Sequence, residues 1–298
     1  MFIIKYKKFF LGLSLAFVII SLGALLKYKL PLGIDFKGGS QMQITFVEER
    51  PNASLIQEKL INAGFNDVLV KPTGSKGYIL KSRDISETER AKVVSTITNN
   101  GKILATEDSF TTIGPSVGAE LRKKAVLSIV LVLIAIILFV AYAFRHVSKP
   151  VSSWKYGFAV IIALAHDIII PIGAFAILGH IYGFQLDTLF VVALLTTLAL
   201  SVTDTIVVFD RIRENLKLMP SNMPFSQIVG ESLSQTFVRS IGTSFVVLIM
   251  VITLAIVGPS STKLFATVLA IGMFFGTYSS IFLASPLLVL FEELQNKK

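Results

Sequence analysis

The sequence predicts an α-helical polytopic membrane protein with six transmembrane helices. One small extracytoplasmic α+β domain is inserted between the first and second. Three observations carry this. Apolar residues make up 53% of the 298 residues, and the mean hydropathy is +0.72, a membrane-protein composition. Six apolar runs approach the ~20 residues that cross a bilayer. Between the first two runs, Gln41 to Gly114 is polar and mixed, with no span. The expected organisation is a first helix in residues 1–29, the α+β domain in 30–120 and a five-helix region in 121–298.

Composition also excludes. A net charge of +9 would suggest nucleic acid in a soluble chain. Here much of the excess marks cytoplasmic loops, so no nucleic-acid partner is expected. With no Cys and only three His, no disulfide framework or Cys-based metal site can form, and a His-rich one is not expected. No G-x-x-x-x-G-K-S/T loop occurs. No cofactor and no enzymatic activity are expected.

Met1 to Lys8 is short and basic, and Phe9 to Leu26 is apolar. No small-x-small cleavage site follows, so this reads as a retained helix anchored at Lys27, Tyr28 and Lys29. The string GIDFKGG, Gly33 to Gly39, reads as a strand entrance with a tight turn.

The domain is expected to run β-α-β-β-α-β. Gln41 to Val47 alternates as a strand. Asn52 to Ala63 has helical spacing, with Ser54 and Gln57 as its capping box. Asp67–Val70 and Gly77–Lys81 are strands around a turn at residues 72–76. Ser86 to Asn99 is a second helix, with Ser86 and Glu89 as its box, and Ser109 to Ile113 is a last strand. This order suggests a ferredoxin-like split fold.

The remaining spans are expected at about 125–144, 156–178, 188–209, 241–257 and 264–291, the last long enough to tilt or bend. Arg145, Lys149 and Lys155 make one loop basic. Arg211, Arg213, Lys217 and Arg239 make another basic, while residues 180–187 carry no Lys or Arg. The positive-inside rule therefore puts both termini in the cytoplasm. Arg122 to Lys124 run against it, but they follow a long translocated domain, where the rule is weak.

The chemistry centres on Leu200 to Asn215, LSVTDTIVVFDRIREN. Asp204 lies inside an apolar span, where a carboxylic acid is costly and a functional candidate by default. Thr197, Ser201, Asp204 and Arg211 fall on one helix face, expected to meet protein or water. The third span carries His166 and Asp167, with Pro171 four residues on, so a bend or a bound water is expected there. His166 suits either packing or proton transfer, and Asp167 either a structural or a relay role. Arg239 reads as a snorkelling residue or as a charge that tunes Asp204. Ser201, Thr203, Thr205 and His166 are candidate supporting groups, with Thr203 able to donate to the carboxylate. Gly272, Gly276, Ser280 and Ala284 recur every four residues and allow close helix contact, within the bundle or against a partner.

Desolvation favours the neutral form of a carboxylic acid, and a nearby Arg favours the charged form. An acid that moves between such surroundings can take a proton on one side and release it on the other. The candidate relay is Asp204 as carrier, Arg239 as modulator and Asp167 as second site.

The small-S-x-x-D-T-I-V-V-x-D-R-I-R-E-N segment resembles the fourth helix of the SecF branch of the SecD/SecF protein-export family, within the wider RND-like superfamily. Thr203 stands where Asn is usual. The string Gly33, Asp35, Phe36, Gly38 and Gly39 resembles the motif after the first helix of both subunits. Asp210, Arg211, Arg213 and Glu214 complete the second motif, and Glu231 to Thr236 with Arg239-Ser is similar to the matching SecF segment. The resemblance implies use of the transmembrane ion gradient, H⁺ by preference, to assist Sec-dependent preprotein translocation across a bacterial-type plasma membrane. It implies a SecD-like subunit, the SecYEG channel with its ATPase, an unfolded preprotein and membrane lipid as partners. Two alternatives are a proton-coupled RND-type small-molecule exporter and an intramembrane aspartyl protease using Asp167 and Asp204. Such exporters usually carry larger and more numerous outer domains, and the G-x-G-D protease motif is absent.

Overall fold

The computed structural model describes residues 2–145, 151–220 and 222–296. Lys149, counted above in a basic loop, lies outside them. Two compact units form. One comprises the helical residues up to 31, 127–184 and 189 onward. The other comprises residues 32–126 and 185–188.

The helical unit starts with the short α1 (Phe2–Lys5) and α2 (Lys7–Tyr28). The smaller unit holds α3 (Ile34–Lys37), α4 (Ala53–Asn62) and α5 (Glu87–Ile97). Then come α6 (Pro115–Ala143), α7 (Ser153–Tyr182), α8 (Thr188–Leu218) and α9 (Phe225–Val257). The chain ends in α10 (Ser260–Ser279), a π-helical turn (Ser280–Ala284) and α11 (Ser285–Asn296). Six of these runs are long and apolar enough to cross a membrane: α2, α6, α7, α8, α9 and the continuous stretch through α10 and α11.

Several helices outrun their apolar stretches. α8 continues past Phe209, and α9 begins at Phe225, well before Ile241. Polar residues sustain these extensions. Asp210 pairs with Arg213 and Arg211 with Glu214, each at 2.5 Å and one turn apart. Asn215 Nδ2 donates to Ser232 Oγ at 2.8 Å and to Gln235 Oε1 at 2.9 Å, tying α8 to α9.

α7 runs unbroken through Pro171. The last span leaves α-helical geometry at one point. Pro286, at the start of α11, has no N–H, so the Phe282 carbonyl loses its usual partner. The π turn at Ser280–Ala284 absorbs that fault.

The helical core closes on an aromatic cluster. Phe144 stacks on Tyr156 with centroids 5.6 Å apart. Phe209 stands edge-on to both.

The smaller unit is a four-stranded antiparallel sheet in the order β2-β3-β1-β4. Its strands are β1 (Gly39–Phe46), β2 (Leu69–Thr73), β3 (Gly77–Ser82) and β4 (Ala105–Ile113). With α4 and α5, this is the split β-α-β-β-α-β arrangement. Met42, Ile44, Phe46, Tyr78 and Leu80 alternate onto the face that meets Ile56, Leu60, Val93 and Ile97.

Local details depart from expectation. The cap of α4 is Asn52, whose Oδ1 accepts from the Ser54 amide at 3.0 Å. Asn caps as well as Ser. Gln57 is therefore freed to bond the Val68 carbonyl and the Val70 amide. Pro72 and Thr73 belong to β2, an edge strand where proline's missing donor is tolerated. β4 starts four residues before Ser109, because an exposed edge strand needs no apolar alternation. The Ser86–Glu89 capping box of α5 is formed as read.

Candidate functional site

Asp204 sits half-buried on α8. Its Oδ2 accepts a hydrogen bond from Ser244 Oγ of α9 at 3.0 Å. The carboxyl opens on a cavity of about 160 Å³ that Ser201, Arg239, Ser240 and Thr277 also line. Arg239 is exposed. Among the described residues it makes no ion pair with Asp204, so its charge acts across the cavity. The Ser240 hydroxyl is buried and has no hydrogen-bond partner among the described residues. The cavity sets these polar groups among apolar walls of Leu200, Val207, Val247 and Met273, and it has room for several waters at ~30 Å³ each.

Asp167 on α7 is fully buried. Its Oδ1 meets His166 Nδ1 at 3.0 Å. Its Oδ2 accepts from Ser279 Oγ at 2.9 Å and from Ser201 Oγ. A buried carboxylate needs such donors, since an unpaired one would be strongly unfavourable. The His166 ring stacks on Tyr278, centroids 6.0 Å apart.

Ser201 therefore joins the two acids: it lines the cavity of Asp204 and donates to Asp167. No hydrogen bond among the described residues links the acids directly.

Two candidates bond other groups, although Thr203 also lines the cavity. The Thr203 hydroxyl donates to the Ala199 carbonyl of its own helix at 2.8 Å. It does not serve Asp204; Ser244 does. Thr205 bonds the Ser201 carbonyl at 3.1 Å and Ser280 Oγ at 2.9 Å, which braces α8 against the last span. The small-residue ladder of that span has a partner inside the bundle. A Cβ on Gly272 would overlap the Thr197 side chain, and one on Gly276 would stand 3.0 Å from Ser201 Cβ. Close approach there is what lets Ser279 and Ser280 reach Asp167 and α8.

Sequence reasoning missed Ser244 and Ser279. Ser244 follows Arg239 by five residues, so the polar group Arg239, Ser240, Thr243 and Ser244 is a signal that could have found it. Ser279 carries no such signal, because serines, even paired as in Ser279-Ser280, are common in membrane helices. The charged motif at the end of α8 makes a second polar knot. Arg211 Nε and Asn215 Nδ2 both donate to Gln235 Oε1 of α9.

The sequence profile for the family described as "Protein export membrane protein SecD/SecF, C-terminal" matches residues 92–294, and that for the "SecD/SecF GG Motif" matches residues 23–48. The chain belongs to the SecD/SecF family. Within it, the chain is similar to proteins named protein translocase subunit SecF. One from Thermobaculum terrenum is 41% identical over 97% of this chain and 93% of the relative. One from Anaerolinea thermophila is 36% identical over 95% of this chain and 91% of the relative. The crystal structure of SecDF, a translocon-associated membrane protein, from Thermus thermophilus superposes with a TM-score of 0.84 at 29% identity. That match covers 97% of this chain but only 38% of the SecDF chain. A SecDF structure in its super-membrane-facing form gives 0.70 at 29% identity, with 99% and 39% covered.

Proposed function

We propose that this chain acts as the SecF-like subunit of a SecDF-type complex and uses the transmembrane ion gradient, carried by protons, to assist Sec-dependent preprotein translocation. The observation that carries this reading is Asp204, half-buried on a spanning helix, held by Ser244 and sharing a cavity with Arg239. When charged, Asp204 is drawn toward Arg239 across that cavity. When neutral, it loses that attraction, and α8 and α9 can separate. One proton crossing 100 mV releases about 2.3 kcal/mol. That matches the ~1.5–3 kcal/mol of one hydrogen bond to a charged group. A single proton can therefore switch one such contact. Asp167 serves as a second station, reached through Ser201.

In this reading both termini are cytoplasmic, the membrane is a bacterial-type plasma membrane and the α+β unit lies outside. The SecD-like subunit, the SecYEG channel with its ATPase, the unfolded preprotein and lipid are the partners. The single small α+β unit favours this over a small-molecule exporter.

The test is Asp204→Asn, which keeps an oxygen for Ser244 but cannot ionise. Folding and co-purification with the SecD-like subunit are expected to persist, while gradient-stimulated export into membrane vesicles is lost. Normal export by this variant would remove Asp204 from the mechanism.

A further inference from the structure

Residues 185–188 run from the connection after α7 to the first residue of α8, yet they fold as part of the α+β unit. Four contacts hold them. Leu32 and Leu186 form a parallel bridge, and the Gly33 amide donates to the Leu186 carbonyl at 2.8 Å. A Cβ on Gly33 would stand 2.7 Å from that carbonyl oxygen, so this approach needs glycine. Lys81 Nζ donates to Gln185 Oε1 at 2.7 Å. Asp35 Oδ2 accepts from both the amide and the hydroxyl of Thr188, each at 2.8 Å.

Thr188 is the first residue of α8, the helix that carries Asp204. Its amide is among those a helix cannot satisfy internally. A carboxylate there bonds it and adds charge of the favourable sign. This cap comes from 153 positions away in sequence. A local cap would stabilise the helix end equally well. Only a remote one ties that end to another part of the fold.

We propose that Asp35 is a positioning residue that couples α8 to the α+β unit. Its carboxylate fastens the first residue of α8 to α3, the short helix that leads into β1, so the helix and the unit move together. Asp204 lies 16 residues further along a continuous helix, about 24 Å at 1.5 Å per residue. A shift of α8 driven at Asp204 is thereby passed to the unit. The glycine motif acquires a mechanical role: Gly33 admits the Leu186 backbone, and Gly38 and Gly39, with φ of 80° and 132°, turn the chain from α3, which carries Asp35, into β1.

The proposal rests on the gradient-driven reading of Asp204, and the experiment separates the two. Asp35→Ala, Asp35→Asn and Asp204→Asn are made in the full chain, co-expressed with its SecD-like partner. Export with and without a gradient is measured, together with hydrogen exchange at the start of α8 and in β1 and β3. In Asp35→Ala, gradient-stimulated export is expected to fall at least fivefold. Amides of the first α8 turn should exchange at least tenfold faster, with β1 and β3 unchanged. Asp35→Asn, which keeps an acceptor, should stay within about twofold of wild type on both counts. Wild-type gradient stimulation in Asp35→Ala, while Asp204→Asn shows none, overturns the coupling and leaves the Asp204 reading standing. Normal export by Asp204→Asn defeats that reading and the coupling built on it. Loss of export in both Asp35 variants together with faster exchange in β1 and β3 assigns Asp35 to folding and also overturns the proposal.

Discussion

Ser201 and Asp167 are bonded across α8 and α7, hydroxyl to carboxylate, at a point where Ser201 also lines the cavity of Asp204. A fully buried acid is thus one hydroxyl away from a half-buried one. The same serine packs against Gly276, so its position is set by sterics as well as by hydrogen bonding.

That bond separates two roles for Asp167. Asp167→Asn retains an oxygen for Ser201 and Ser279 but cannot carry a proton. If Asp167 is the second station, gradient-stimulated export falls about tenfold or more while the thermal midpoint stays within a few degrees. Asp167→Leu strands His166, Ser201 and Ser279 together. It is expected to cost about 3 kcal/mol or more, seen as loss of folded protein in a detergent-denaturation series.

Ser244→Ala removes the only protein donor to Asp204 found among the described residues. A hydrogen bond to a charged group contributes about 1.5–3 kcal/mol, so the gradient response should drop roughly tenfold. Ser244→Thr keeps the hydroxyl and should retain most of it. The check is the initial rate of vesicle export at a fixed imposed gradient.

Gly272→Val tests the contact between α8 and the last span. The new side chain would overlap Thr197. Overpacking typically costs about 1–3 kcal/mol. The unfolding midpoint should fall accordingly, whereas the same change at Gly242, which has nothing within 4 Å of its Cβ direction, should move it far less.

The α+β unit has its own acid-sensitive contact. The Arg83 guanidinium first, and the Ser86 amide next, pull the Glu89 carboxyl from 4.5 down to about 2. A depressed acid stabilises the fold above its unfolded value. That contribution is complete above about 4.5 and is lost as the pH falls toward about 2. Titration of Glu89 followed by its side-chain carbon shift should show the low midpoint, and Arg83→Ala should move it back upward.

The number of spans, the polar insertion and its β-α-β-β-α-β order were legible in the sequence. Lipid imposes long apolar runs, and strands and helices leave different periodicities. The Ser86–Glu89 box was legible because both partners are local. The Ser54–Gln57 box was misread, since Asn52 competes for the same amides and only the packed chain shows which cap wins.

At the candidate site the same division holds. The sequence by itself determined that Asp204 and Asp167 must be accommodated inside the membrane, because burying a carboxylic acid is costly in any fold. It also set Thr197, Ser201 and Asp204 on one face, since helical pitch is a local property. Only the tertiary structure decided that Ser244 rather than Thr203 serves Asp204, that Ser201 joins the two acids, and that Asp35 caps a helix 153 residues away. Those contacts cross from element to element, and no spacing along one chain encodes the distance between two helices.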